Sequence, residues 1–110
     1  QNGILDNYKR IIAKIKEVSP ATKVYMQSIL PINKRMLPAS YEKLSNANIL
    51  EYNLKLKGFC EVQELNYINL HEVFAGADGE LKKELSIDGL HLKSAAYILW
   101  AGYLKKLNVL

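Results

Sequence analysis

The chain has 110 residues, 49% hydrophobic and 24% charged, which suits one folded domain or part of one and excludes a disordered, collagen-like or rod-like protein. Its formal charge of +4 comes from 15 Lys and Arg against 11 Asp and Glu, but the basic pairs Lys9-Arg10, Lys34-Arg35, Lys82-Lys83 and Lys105-Lys106 are scattered and form no stripe with aromatics, so no nucleic-acid partner is expected. One cysteine, Cys60, excludes an intrachain disulfide and reads as a buried small hydrophobe; no His/Cys cluster has zinc-ligand spacing, no cofactor is expected, and no apolar run reaches the roughly 18 residues of a membrane span.

In chain order, Ile4 to Val18 repeats apolar residues at three and four (Ile4, Leu5, Tyr8, Ile11, Ile12, Ile15, Val18), with Asp6, Lys9, Lys14 and Glu17 opposite. The spacing predicts an amphipathic helix, stopped by Ser19-Pro20. Lys23 to Leu30 is short and rich in β-branched and aromatic residues, which predicts a strand buried on both faces. Pro31 to Ser45 holds two of the three prolines and has little periodicity, and reads as a long loop. Asn46 to about Glu64 predicts a helix that reaches or passes Gly58. Asn66 to Leu70 reads as a second strand, followed by the turn signal Ala77-Asp78-Gly79. Ser94 to Leu107 predicts a last helix burying Tyr97, Trp100, Ala101, Leu104 and Leu107 on one stripe, with Lys105 and Lys106 suiting the negative end of its dipole.

Helix and strand alternate as in a parallel sheet wrapped by helices. Two parallel strands leave a long unsatisfied edge, so the chain is expected to be the later half of a larger α/β domain, with an upstream segment or an oligomeric partner covering that edge.

Asp88-Gly89-Leu90-His91 stands just before the last helix, where ligands gather in open α/β sheets. A turn there lets the Asp88 carboxylate accept from His91 Nδ1 and leaves Nε2 as a general base. The partly positive start of the following helix disfavours imidazolium while Asp88 favours it, so His91 is expected to be neutral at rest and able to take a proton during reaction. Of the other candidates, His71 has no acid at comparable spacing and reads as a structural or rim residue. Asn33 reads equally as a pocket residue or as a turn asparagine in a solvent loop. Tyr97 and Trp100 read as core rather than as a sugar platform.

Ser86-Ile87-Asp88-Gly89-Leu90-His91-Leu92, followed by Ala96-Tyr97 and Trp100-Ala101, resembles the last sequence block of the SGNH hydrolases, also called GDSL-type lipases and esterases. Asn7-Tyr8, Ser19-Pro20, the run Gln27-Ser28-Ile29-Leu30-Pro31-Ile32-Asn33 and Tyr67-Ile68-Asn69-Leu70 are similar to that family's later half, so the resemblance covers nearly the whole chain. It implies a flavodoxin-like three-layer α/β/α fold with a parallel sheet, residues 1–110 being the C-terminal half of one such domain. It also implies ester hydrolysis through a Ser-His-Asp triad, with Asp88 as the orienting acid and His91 as the general base. The family's serine lies in a Gly-Asp-Ser motif near the start of the domain, and its oxyanion hole draws on that serine's backbone and on a glycine and an asparagine from two further blocks. None of these blocks is found in residues 1–110: Ser28, Ser40, Ser45, Ser86 and Ser94 have no Gly-Asp before them. The asparagine block is expected just upstream of Gln1. Lys93 stands where the family often has asparagine and Ala96 where it often has glycine, changes that touch the start of the helix and leave acid and base intact.

The expected function is hydrolysis of small acyl esters, acetyl groups on carbohydrate among them, with the nucleophile on a missing N-terminal segment and the isolated chain inactive. The alternative is a non-catalytic binding or interaction module that keeps the fold without the nucleophile. An upstream Gly-Asp-Ser block separates the two.

Overall fold

The computed structural model describes residues 2–109. The first helix, α1 (Asn2–Val18), follows the apolar repeat. It buries Ile12 and half-buries Leu5, Tyr8 and Ile15. Ser19 N–H still bonds the Ile15 carbonyl at 2.7 Å, and the chain then turns at Pro20.

Strand β1 (Tyr25–Gln27) pairs in parallel with β2 (Asn66–Ile68), Tyr25 opposite Asn66 and Gln27 opposite Ile68. Both strands are shorter than their sequence runs. The expectation that β1 is buried on both faces is corrected: Tyr25 and Gln27 are exposed and Met26 half-buried, because the sheet has two strands among the described residues and β1 has one neighbour.

Beyond Ser28, helix α2 (Asn46–Gln63) takes over the backbone of the chain leaving β1. The Asn53 side chain accepts from Ile29 N–H at 2.8 Å and donates to the Ile29 carbonyl at 2.9 Å. Asn46, two turns earlier on the same face, does the same to Ile32, both bonds 2.8 Å. An amide presents a donor and an acceptor side by side, as a neighbouring strand does, so these asparagines pair partly buried backbone groups of the chain leaving β1.

Helix α2 starts at Ser45, whose hydroxyl accepts from Asn48 N–H at 3.1 Å, and runs through Gly58 to a left-handed cap at Glu64. It buries Tyr52, Leu56 and Cys60, and its Phe59 ring lies 6.5 Å from that of Tyr8 on α1.

The end of the second predicted strand is instead a short helix, α3 (Leu70–Phe74), opened by Asn69, which accepts from Glu72 N–H at 3.2 Å. Leu70 and Phe74, four apart, are both fully buried. Phe74 packs with Leu81, Leu85 and Ala96, flanked by Leu30, Val73, Leu92 and Trp100.

The last helix, α4 (Ser94–Lys106), has the expected bounds but another buried face. Ala96 is fully buried and Trp100, Tyr103 and Leu104 are half-buried, whereas Tyr97 is 57% exposed and Ala101 and Leu107 also face out. The core beneath the helix is centred on Phe74, which receives Trp100 edge-on at 5.8 Å, and that contact sets the helix's rotation. Tyr97 stacks on Trp100 from outside, its ring within 6° of parallel, so its reading as core is corrected.

Ile11, Val18, Ile98 and Tyr97 are more than half exposed. The radius of gyration, 15.4 Å, exceeds the roughly 13 Å of a compact domain of this length, consistent with apolar faces that no described residue covers. No helix among the described residues is long and apolar enough to cross a membrane.

Because Phe74 is fully buried at the junction of α3, α4 and the 81–85 segment, Phe74→Ala is expected to cost about 3–5 kcal/mol in denaturant unfolding. A loss under about 1 kcal/mol would contradict its central place in the core.

Candidate active site

Leu85 to Lys93 fold into a tight hairpin. Lys93 N–H donates to the Leu85 carbonyl at 2.9 Å, Ile87 N–H donates to the His91 carbonyl at 3.0 Å, and Ser86 faces Leu92 as an antiparallel bridge. Gly89 at the tip has φ of +95°, in the left-handed region that favours glycine. A Cβ there would lie 2.5 Å from the Asn33 carbonyl oxygen and 3.0 Å from Met36 Cβ, so glycine also permits the tip to lie flat on the loop after β1. Asn33 N–H donates to the Gly89 carbonyl at 2.8 Å and closes that joint.

The hairpin brings Asp88 and His91 together as their spacing predicts. Asp88 Oδ1 accepts from the backbone N–H groups of His91 at 2.8 Å and Leu90 at 3.0 Å, while Oδ2 lies 2.7 Å from His91 Nδ1. One carboxylate thus shapes the turn with one oxygen and holds the imidazole with the other. These bonds favour its charged form and lower its pKa from 3.8 to about 2; the largest cause is the His91 backbone N–H, followed by the His91 ring and the Leu90 N–H. The side chains are 46% exposed at Asp88 and 69% at His91. At that exposure water screens the pair, so its value lies in fixing the direction of the ring rather than in stability. No described residue offers His91 Nε2 a hydrogen bond, which leaves that nitrogen to act on a group brought in from outside.

The other candidates fall elsewhere. His71 is buried in α3, its N–H donating to Ser28 Oγ at 2.8 Å; burial pushes its pKa below 6.5, and it is a structural residue rather than a rim one. Asn33 is buried too, so its reading as part of a solvent loop is corrected: Nδ2 donates to the Leu81 carbonyl at 2.9 Å, and the residue forms one wall of a cleft of about 740 Å³ shared with Arg35, Met36, Asp78 and Lys82. The rest of that long loop is tied down by Lys34, whose Nζ donates to the carbonyls of Tyr41 and Glu42 at 2.9 Å and of Leu44, and whose N–H donates to Glu80 at 2.9 Å. Of the serines, Ser28 and Ser86 are buried and Ser45 caps α2.

Two contributions escape the sequence reading. The Asn33 backbone joint links segments 56 positions apart and leaves no local sign. Ser86, buried at 1% exposure, donates its hydroxyl to the His91 carbonyl and accepts from Gly89 N–H, both at 2.8 Å. A serine three positions before a glycine N–H has the spacing of a side-chain-to-backbone turn, and that signal could have found it. Among the described residues no three His, Cys, Asp or Glu side chains group to hold a metal.

The family of GDSL-like lipases and acylhydrolases matches residues 1–99. A Streptococcus pneumonia protein provisionally named a platelet activating factor superposes with a TM-score of 0.87 at 29% identity, over 96% of this chain and 50% of that one. The esterase domain of the zebrafish ZfL2-1 retrotransposon ORF1 protein superposes at 0.67 with 25% identity, over 100% of this chain and 61% of that one. A GDSL-like lipase from Bacteroides thetaiotaomicron, at 19% identity and 0.65, shares the fold over 94% of this chain and 51% of that one. A UPF0304 protein of Actinobacillus succinogenes is 29% identical over 76 residues, 68% of this chain and 45% of its own length. The chain therefore spans between 45% and 61% of the length of these relatives.

The depressed Asp88 carboxyl gives a signed expectation. Its hold on the turn is complete above the ordinary value of 3.8 and is lost as the pH falls through about 2. The carboxylate carbon of Asp88, followed by NMR, should titrate near 2, and a midpoint at 3.8 or above would contradict the bonds described.

Proposed function

From the premise that this chain belongs to the GDSL-like lipase/acylhydrolase family, we propose that it supplies the acid and base of an ester hydrolase whose nucleophilic serine lies on a segment upstream of Gln1. The observation that carries the reading is the 2.7 Å contact between Asp88 Oδ2 and His91 Nδ1, with Nε2 left free to face that serine. His91 Nε2 takes the serine's proton as its oxygen attacks the ester carbonyl. Asp88 keeps Nδ1 protonated and favours the imidazolium that forms. The same proton then passes from Nε2 to the departing alcohol, leaving an acyl-serine. A water molecule gives its proton to His91 as it attacks that acyl group; the bond from the acyl carbon to the serine oxygen then breaks, Nε2 returns the proton to that oxygen, and the carboxylic acid leaves. The donors that stabilise the oxyanion come from the upstream segment as well.

Three features support a second segment. β1 has a free edge among the described residues, Ile11 and Val18 on α1 and Ile98 on α4 face outward, and His91 is exposed enough for another chain segment to reach it. Small acyl esters, including acetylated carbohydrate, are the substrate class that the family resemblance suggests.

With the upstream segment restored, the protein should hydrolyse 4-nitrophenyl acetate, and His91→Ala should lower kcat by about 10²–10⁴-fold. The 110-residue chain alone should give no His91-dependent rate. Undiminished turnover in His91→Ala contradicts the assignment. An upstream segment without Gly-Asp-Ser, together with no turnover, favours the non-catalytic module.

A further inference from the structure

We propose that Ser86 is a positioning residue for the Asp88–His91 pair, its buried hydroxyl tying the start, tip and end of the turn into one rigid unit. The role in turnover rests on the esterase reading above; the role in the turn does not. Ser86 is 1% exposed, and its Oγ both donates to the His91 carbonyl at 2.8 Å and accepts from Gly89 N–H at 2.8 Å. A hydroxyl has one proton to give, so donating to His91 directs its lone pairs toward Gly89. Both bonds reach across Asp88, from Ser86 to partners three and five positions further along the chain.

The remaining contacts show what this hydroxyl alone supplies. The His91 carbonyl has a second donor, Ile87 N–H at 3.0 Å, and the Gly89 carbonyl has Asn33 N–H at 2.8 Å. Gly89 N–H has Ser86 Oγ as its partner, and Gly89 is buried. With that oxygen removed, a buried donor is left unpaired, and the turn relieves it by rotating the Asp88–Gly89 peptide. That rotation displaces the N–H groups of Leu90 and His91, which follow directly and hold Asp88 Oδ1. The carboxylate then loses its anchor, and the imidazole loses its direction. An error on the order of 1 Å in a catalytic group costs about 10²-fold in rate. The same commitments, with burial, remove Ser86 from consideration as a nucleophile.

The test uses Ser86→Ala and Ser86→Thr in the protein carrying its upstream segment, with near-ultraviolet circular dichroism reporting the folded fraction. Per folded molecule, Ser86→Ala should lose about 10–100-fold in kcat on 4-nitrophenyl acetate with KM changed by less than about 2-fold. Its Asp88 carboxylate should titrate above the native midpoint, toward 3.8. Ser86→Thr, which keeps the hydroxyl, should recover both. If Ser86→Ala does not fold, Ser86→Cys keeps the size, weakens both bonds and is read the same way. A folded variant with native kcat and an Asp88 midpoint still near 2 overturns the proposal, as does a rate loss matched by the loss of folded protein at an unchanged midpoint. If the unsubstituted protein hydrolyses no ester, the esterase reading fails and the Asp88 midpoint alone decides: a rise supports the brace, and no change overturns it.

Discussion

The backbone hydrogen bond from Asn33 N–H to the Gly89 carbonyl is the joint on which the arrangement depends. Strand β1 is three residues long, and a strand that short does not by itself direct the chain beyond it. Helix α2 supplies the direction, with Asn53 holding Ile29 and Asn46 holding Ile32 through paired amide bonds. Asn33 follows directly and carries the alignment across to the hairpin tip. Gly89 makes the contact possible because any Cβ would strike the Asn33 carbonyl. The Asp88–His91 turn is thus referenced to the sheet through two side-chain clamps and one backbone bond.

On that support the Asp88–His91 pair works by geometry. Its exposure keeps the Coulomb attraction small, and the short Nδ1–Oδ2 contact matters because the carboxylate's other oxygen is already held by two backbone N–H groups. A carboxylate fixed at one end orients what it binds at the other. Ser86 acts at the level below, on the Gly89 N–H and the His91 carbonyl that flank the peptides carrying those N–H groups.

The sequence made legible what local patterns encode. The repeat from Ile4 to Val18 gave α1, the apolar patterns from Asn46 and from Ser94 gave α2 and α4, and the Asp88-x-x-His91 spacing gave the pair. What depends on distant partners was not legible. Strand β1 reads as buried on both faces because its residues show no clean alternation, yet exposure is fixed by how many strands flank it. The stripe on α4 was rotated because Phe74, on the unforeseen α3, is what Trp100 packs against. Leu70 to Phe74 is too short for a helical period to separate it from a strand, and its helix is specified by the Asn69 cap and the burial of Leu70 and Phe74. Asn46 and Asn53 carried a signal, two amides seven apart on a helix face that also holds Leu56 and Cys60, but polar residues in such a pattern are ordinarily read as solvent-facing.

The central claim is that the turn presents His91 with its proton on Nδ1 and its lone pair on Nε2. The most direct measurement is the nitrogen NMR spectrum of the histidine-labelled protein, recorded on the neutral ring. The account predicts that His91 carries its proton on Nδ1, with a proton signal shifted downfield by the bond to Asp88 and abolished in Asp88→Ala. A neutral His91 with its proton on Nε2, or one averaging between the two forms, would contradict it.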